Sequence, residues 1–194
     1  IPCWDKDLSR YVYSSYIASY HPFHLYMDEL PAWDGRDRLT ALALRVSCRP
    51  LWVQGFHTWM LGLASQWMDQ SVLHANSVAP ILVSREQGRR KSTFCRSLMP
   101  DVLMRYYTDN LKLTSQGQAE RLLAEMGLLN MDEFDKYAEN KMPLLKNLMQ
   151  MSALNIRKAY QQNFRQLPRV ASFIGTSNRF DLLTDPTGSR RFLC

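Results

Sequence analysis

Three short apolar runs, each ending in a polar cluster and separated by helical patterns, set the strongest limit on the fold. Ala79 to Val83 leads to Gly88, Lys91 and Ser92. Gly127 to Met131 ends in Asp132 and Glu133, and Val170 to Ile174 runs into Gly175, Thr176, Ser177 and Asn178. Apolar runs of this length, bounded by turn-forming or charged residues, fit buried strands. Strands that alternate with helices need crossover connections, and these build a parallel sheet with helices on its faces. Polar clusters after such strands then gather at the carboxyl edge, where open sheets bind ligands. The expected class is therefore α/β with a mainly parallel sheet over residues 79–194.

Residues 1–78 read differently, as a helical N-terminal subdomain. Trp4 to Tyr20 forms a Tyr-rich helix carrying Asp5 and Asp7 near its start. Leu39, Leu42, Ala43 and Val46 repeat at helical spacing after Asp34-Gly35. Pro50 suits the first turn of a further helix, whose Trp52, Phe56, Trp59, Met60, Leu63 and Trp67 make a core-facing stripe. Within the second part, helices are expected over Ser92–Leu98, Gln116–Met126 and Pro143–Met151, and a short strand over Tyr106–Thr108. A hairpin is expected to pair Asn155–Tyr160 with Phe164–Leu167.

Composition narrows the function classes. The 194 residues are 46% hydrophobic and 22% charged, enough apolar side chain to exclude a disordered chain. No apolar run reaches the roughly 18 residues that a membrane helix needs. Four cysteines at 3, 48, 95 and 194 have no zinc-ligand spacing, and their low density argues for reduced thiols in a cytoplasmic protein. The chain opens without a leader and stops within an apolar run, so a portion of a longer polypeptide is expected. The net charge is +6, from 24 Lys and Arg against 18 Asp and Glu. Much of the excess lies in Arg85, Arg89, Arg90, Lys91 and Arg96, and in Arg157, Lys158, Arg165, Arg169, Arg179, Arg190 and Arg191. Such clusters suit either a solvated face or a polyanion.

Ser84 to Thr93 sits where a phosphate-binding loop would sit. In such a loop, backbone N–H groups cradle phosphates, a Lys reaches the β/γ oxygens, and a Ser or Thr hydroxyl takes Mg²⁺. Lys91 and Ser92 match the pattern, whereas Arg85 and Arg90 stand at the positions of its two glycines. A basic helix start would have the same composition. Asp132 can hold Mg²⁺ and Glu133 can polarise an attacking water, or the pair can simply begin an acidic turn. Asn178 can bond a phosphate or the water, or close a turn. The segment Asp185-Pro-Thr-Gly to Arg190, Arg191 and Phe192 suits an arginine finger or a surface ion pair equally.

Taken in order, these segments resemble the virulence-associated protein E family, P-loop ATPases of phages and mobile elements that are related to superfamily 3 helicases and often joined to primases. His21-Pro-Phe23, Leu30 to Gly35 with Arg38-Leu39, Gln87-Gly88 with Lys91 to Phe94, Asp132-Glu133, Gly175 to Asn178, and Asp185 to Gly188 with Arg190 to Phe192 carry the resemblance. The resemblance implies a P-loop NTPase core using ATP and Mg²⁺, assembled as a homo-oligomeric ring on single-stranded DNA, with a primase as a possible partner. Gly88, Lys91, Ser92 and Thr93 would then bind phosphates, and Ser92 with Asp132 the metal. Glu133 would serve catalysis, Asn178 would be the sensor, and Arg190 or Arg191 would act across a subunit boundary. Lys158 and Arg165, in the hairpin, would contact the DNA backbone. Arg85 and Arg90 depart from the family loop, so a non-hydrolysing nucleic-acid-binding or assembly module stands as the alternative. A small-molecule kinase is less favoured, because nothing reads as an acceptor site.

Overall fold

The computed structural model describes residues 4–18, 20–69, 75–113, 116–137, 139–157, 164–180 and 189–194. Two compact units divide the chain, Ile1–Pro31 and Ala32–Cys194. The first contains α1 (Asp5–Val12) and α2 (Pro22–Asp28). α1 stops earlier than its sequence pattern predicts. Past Val12 the Ser14 hydroxyl bonds Tyr11 O at 2.6 Å and accepts Tyr16 N–H, offering the backbone a local alternative to helix. Pro22 occupies the first turn of α2, and His21 Nδ1 caps it by accepting His24 N–H at 3.3 Å.

In the second unit α3 (Arg38–Ala43) is capped by Asp37, whose carboxylate accepts Thr40 N–H at 2.9 Å. α4 (Pro50–Trp67) begins on Pro50 and buries Trp52, Phe56, Trp59, Leu63 and Trp67 of the expected stripe, while Met60 is only half-buried. Trp52 Nε1 bonds Ala43 O at 3.0 Å and so ties α3 to α4.

Five strands form the main sheet: β1 (Ala79–Val83), β2 (Tyr107–Thr108), β3 (Leu128–Met131), then, beyond a separate β4 (Ala153–Arg157) and β5 (Phe164–Pro168) hairpin, β6 (Ser172–Ser177) and β7 (Phe192–Leu193). Its order is β2-β3-β6-β1-β7 and every pairing is parallel, as the alternation of strands and helices requires. β6 lies between β1 and β3, with Gly175 level with both Ile81 and Met131. A Cβ at Gly175 would lie 2.8 Å from Ile81 Cδ1 and 3.1 Å from Met131 O, so a side chain there would push the strands apart. α5 (Lys91–Ser97) follows β1, while α6 (Gln116–Glu125) and α7 (Met142–Leu148) supply Leu123, Leu145 and Leu148 to a core with Leu129, Met131 and Phe173. Each such side chain, once fully buried, contributes roughly 1.5–3 kcal/mol.

The boundary expected at 78/79 falls inside the second unit. α4 is fastened to the sheet side: Gln66 Nε2 bonds Ala171 O at 2.8 Å, and Gly55 brings the helix so close to β7 that a Cβ would lie 2.7 Å from Leu193. β7 itself has only two residues and no sequence pattern of its own. β6 begins later than the apolar run suggests, because the N–H groups of Val170 and Ala171 both bond Leu123 O at the end of α6.

Arg169 departs from both readings of the basic C-terminal stretch, as a solvated face or as a surface for a polyanion. Its side chain is 2% exposed. The guanidinium donates to Leu148 O (3.0 Å), Met149 O (2.7 Å), Gln66 Oε1 (2.8 Å) and Asn76 O (2.7 Å). Burial pulls its pKa down to about 9. This arginine is a structural tie, not a surface charge. Among the described residues, no helix is long and apolar enough to cross a membrane.

Candidate functional site

The parallel order sets the carboxyl ends of β1, β6 and β3 side by side, and four expected residues meet there. After β1 the chain turns through residues 84–90, with left-handed backbone at Gly88 (φ 78°) and Arg90 (φ 56°), and then enters α5. Lys91 Nζ reaches back over the turn to donate to Ser84 O at 3.1 Å and Asn178 Oδ1 at 2.8 Å. Ser92 Oγ donates to Asp132 Oδ1 at 2.8 Å. The lysine, hydroxyl, carboxylate and amide thus converge from segments up to 87 residues apart. Gly88 and Thr93 lie exposed on the loop and on α5.

Thr176 joins this cluster, and sequence reading missed it. Its Oγ1 donates to Asp132 Oδ1 at 2.6 Å and accepts Glu133 N–H at 3.2 Å, linking both members of the acidic pair to β6. Asp135 was missed as well. It accepts Ser177 Oγ at 2.6 Å and Asn178 N–H at 3.3 Å, fixing the turn that presents the Asn178 amide. Partial burial opposes ionisation, but these hydrogen bonds outweigh it and hold the Asp135 carboxyl below its ordinary value.

Glu133 follows Asp132 in a left-handed conformation (φ 51°, ψ 50°) and is exposed. Lys136, in the next turn, places Nζ 2.5 Å from Glu133 Oε2. The hydrogen bond to Glu133 raises the pKa of Lys136 against the desolvation of its ammonium, and the charges of Glu133, Asp135 and Asp132 add to the rise.

Mg²⁺ takes hard oxygen ligands, and Ser92 Oγ with the Asp132 carboxylate supplies two of them already in mutual contact. The donor set therefore fits that ion.

Two of the loop arginines have a local partner. Arg85 lies over the Phe180 ring at 5.3 Å, and Arg89 pairs with Glu86. Arg90 supplies the left-handed residue just before α5.

Arg190 and Arg191 are not brought to this cluster. They precede β7, whose Phe192 pairs with Ala79 at the start of β1, so they stand at the amino edge of the sheet. Five residues of β1 separate that edge from Ser84, about 16 Å at the usual strand rise. Lys158 lies outside the described residues. Arg165 is on β5 opposite Ile156, in a hairpin that is not part of the main sheet.

The sequence profile of the virulence-associated protein E-like domain matches residues 27–194, and the chain belongs to this family. Two solved structures of the NrS-1 C terminal region are similar: the apo structure of residues 305–718 (TM-score 0.55, 18% identity) and its A form (TM-score 0.53, 20% identity). Each similarity covers 79% of this chain, but only 36% and 35% of the respective structures. The chain thus spans about a third of the length of those relatives. At such identities the likeness establishes the fold. No curated protein matches the sequence.

Proposed function

We propose that this member of the virulence-associated protein E-like family hydrolyses ATP and couples hydrolysis to movement along single-stranded DNA, in the replication of a phage or mobile element. The convergence of Lys91, Ser92, Asp132 and Asn178 at one sheet edge carries the reading. On binding, phosphate oxygens exchange for Ser84 O and Asn178 Oδ1 at Lys91 Nζ, whose charge offsets the negative charge of the β/γ oxygens. Ser92 and Asp132 would hold Mg²⁺, which when bound neutralises charge on the departing polyphosphate. Glu133 accepts the proton of the attacking water as the water oxygen bonds to the γ-phosphorus. The bridging oxygen leaves with its electron pair as ADP, and the Asn178 amide orients the water or a γ oxygen.

Arg190 or Arg191 completes the site of a neighbouring copy, a role that their position at the opposite edge supports. A homo-oligomeric ring follows from that role. Lys158 and Arg165 contact the DNA backbone from the hairpin, and a primase is the fitting partner in the same replication machinery.

A second reading, a nucleic-acid-binding or assembly module without turnover, is favoured by one observation. Arg90 holds a left-handed position that a glycine would adopt without the side-chain penalty, directly before Lys91. Phosphate release measured with and without a single-stranded oligonucleotide separates the two readings. Glu133→Gln is expected to lower hydrolysis by about 10²–10⁴-fold, the usual contribution of a positioned proton acceptor. Lys91→Ala should abolish it. Hydrolysis that is absent from the unmodified protein, or untouched by both changes, would sink the enzymatic reading.

A further inference from the structure

A cavity of about 330 Å³ opens against Asp132 and Glu133, and neither Lys91 nor Ser92 lines it. Lys112, Lys136 and Lys141 do, with Tyr137 forming part of the wall. The three ammonium groups arrive from separate places: the stretch after β2, the short turn Phe134–Lys136, and the turn Glu139–Lys141 ahead of α7. No single helical face forces them together. Against the two carboxylates they leave an excess of one positive charge. Among the described residues, Lys136 forms an ion pair, with Glu133, and neither Lys112 nor Lys141 forms one. Tyr137 is fixed by donating its hydroxyl to Leu111 O at 3.0 Å, so the cavity has a firm side.

We propose that this cavity binds a phosphate group, and that the bound phosphate draws Lys136 away from Glu133. Both partners of that pair are exposed, and an exposed ion pair is readily exchanged for a better anion. The Glu133 backbone stays where it is, because Thr176 Oγ1 holds its N–H. The exchange therefore frees a carboxylate whose main chain is already in position. This inference rests on the reading of Glu133 as proton acceptor: while Lys136 Nζ occupies Glu133 Oε2, that oxygen is not open to a water. The cavity is then an activating site beside the catalytic pair, distinct from the loop around Lys91. Its phosphate is either a free anion or part of a nucleic-acid backbone.

Binding is tested in the Lys91→Ala background, which removes the ammonium of the nucleotide loop. Inorganic phosphate and a fluorescent oligo(dT) are titrated separately into Lys91→Ala and into the same protein with Lys112→Ala and Lys141→Ala added. Loss of about tenfold in affinity for at least one probe supports the site, and for the single-stranded oligonucleotide the log–log salt slope should fall by about 1.4. A change for phosphate identifies a free-anion site, and a change confined to oligo(dT) identifies a backbone site. Paired Lys112→Arg and Lys141→Arg should keep binding, which separates lost charge from lost folding. Equal affinities with and without the two lysines, for both probes, overturn the proposal.

Lys136→Met, in the otherwise unmodified protein, should raise hydrolysis without DNA several-fold and shrink its stimulation by the bound probe. Stimulation that survives Lys136→Met unchanged overturns the exchange. If no variant hydrolyses ATP, the enzymatic reading fails while the titrations still decide whether the cavity binds phosphate.

Discussion

Two turns at one edge of the sheet have the same backbone conformation and opposite support. Arg90 and Glu133 are both left-handed without being glycine, at φ 56° and 51°. Glu133 is held on both sides: its N–H bonds Thr176, and its carbonyl accepts Lys136 N–H at 2.8 Å. Neither side chain caps the turn that follows it, and the Arg90 carbonyl likewise accepts a helical bond, from Phe94 at 2.9 Å, so the difference lies in the Thr176 bond to the Glu133 N–H. A left-handed side-chain-bearing residue costs about 1–3 kcal/mol and persists where its surroundings over-determine it. The carboxylate turn meets that condition. The turn before α5 meets it less well, so it is the softer of the two.

The sharpest way to break this comparison is to remove the support from the firm turn. Thr176→Val deletes the donor to Asp132 and the acceptor for Glu133 N–H inside a buried site. Stability should fall by about 1–3 kcal/mol, the usual cost of stranding buried polar groups. Urea unfolding measures this, and an unchanged midpoint would show that the turn needs no such tie.

A smaller effect is expected at the soft turn. Arg90→Gly removes the left-handed penalty, roughly 1 kcal/mol, though glycine's greater freedom in the unfolded chain offsets part of it. Thermal denaturation should move slightly upward, and nucleotide titration should show tighter binding. Glu133→Gly, which also removes the side chain's contact with Lys136, should not stabilise the protein. Equal gains from the two glycines would erase the distinction between the turns.

The smallest effect concerns pH. Asp135 has its folded-state pKa below the ordinary 3.8, set by the hydrogen bonds from Ser177 and Asn178 against partial burial. It binds protons less readily when folded, so its contribution is fully present above the unfolded pKa. That contribution is lost as pH falls below 3.8 and through the folded value. Acid titration of unfolding stability should lose part of its slope in Asp135→Asn. An identical slope would mean that Asp135 does not stabilise the Asn178 turn.

Much of the fold was legible because local pattern and burial agree. The runs at 79–83 and 128–131 are buried on both faces, and they read as continuous apolar segments for that reason. Lys91, Ser92, Asp132 and Asn178 could be picked out because each follows an apolar run of this kind. Thr176, Asp135 and Lys136 could not. The first two act through bonds to residues 42–44 positions away, and a Thr in a strand or an Asp in a turn carries no mark of such a partner. Lys136 was hidden for the opposite reason, since an exposed lysine three residues from a glutamate is ordinary. β7 escaped notice because two residues are too few to show a period. Arg169 looked like one more surface charge, although Gln66, its partner 103 positions earlier, lies on a helix with no charged neighbour to announce it.

That buried arginine also bears on how the protein carries load. β5 ends at Pro168 and β6 begins at Ser172, so the hairpin and the strand that delivers Asn178 are a single length of chain joined by Arg169, Val170 and Ala171. Arg169 clamps this joint to the end of α7 and to α4, while Val170 and Ala171 are bonded to α6. A pull on the hairpin has no slack loop in which to dissipate. It must be borne at the clamp, or passed along β6 as a push rod whose far tip rests on Lys91.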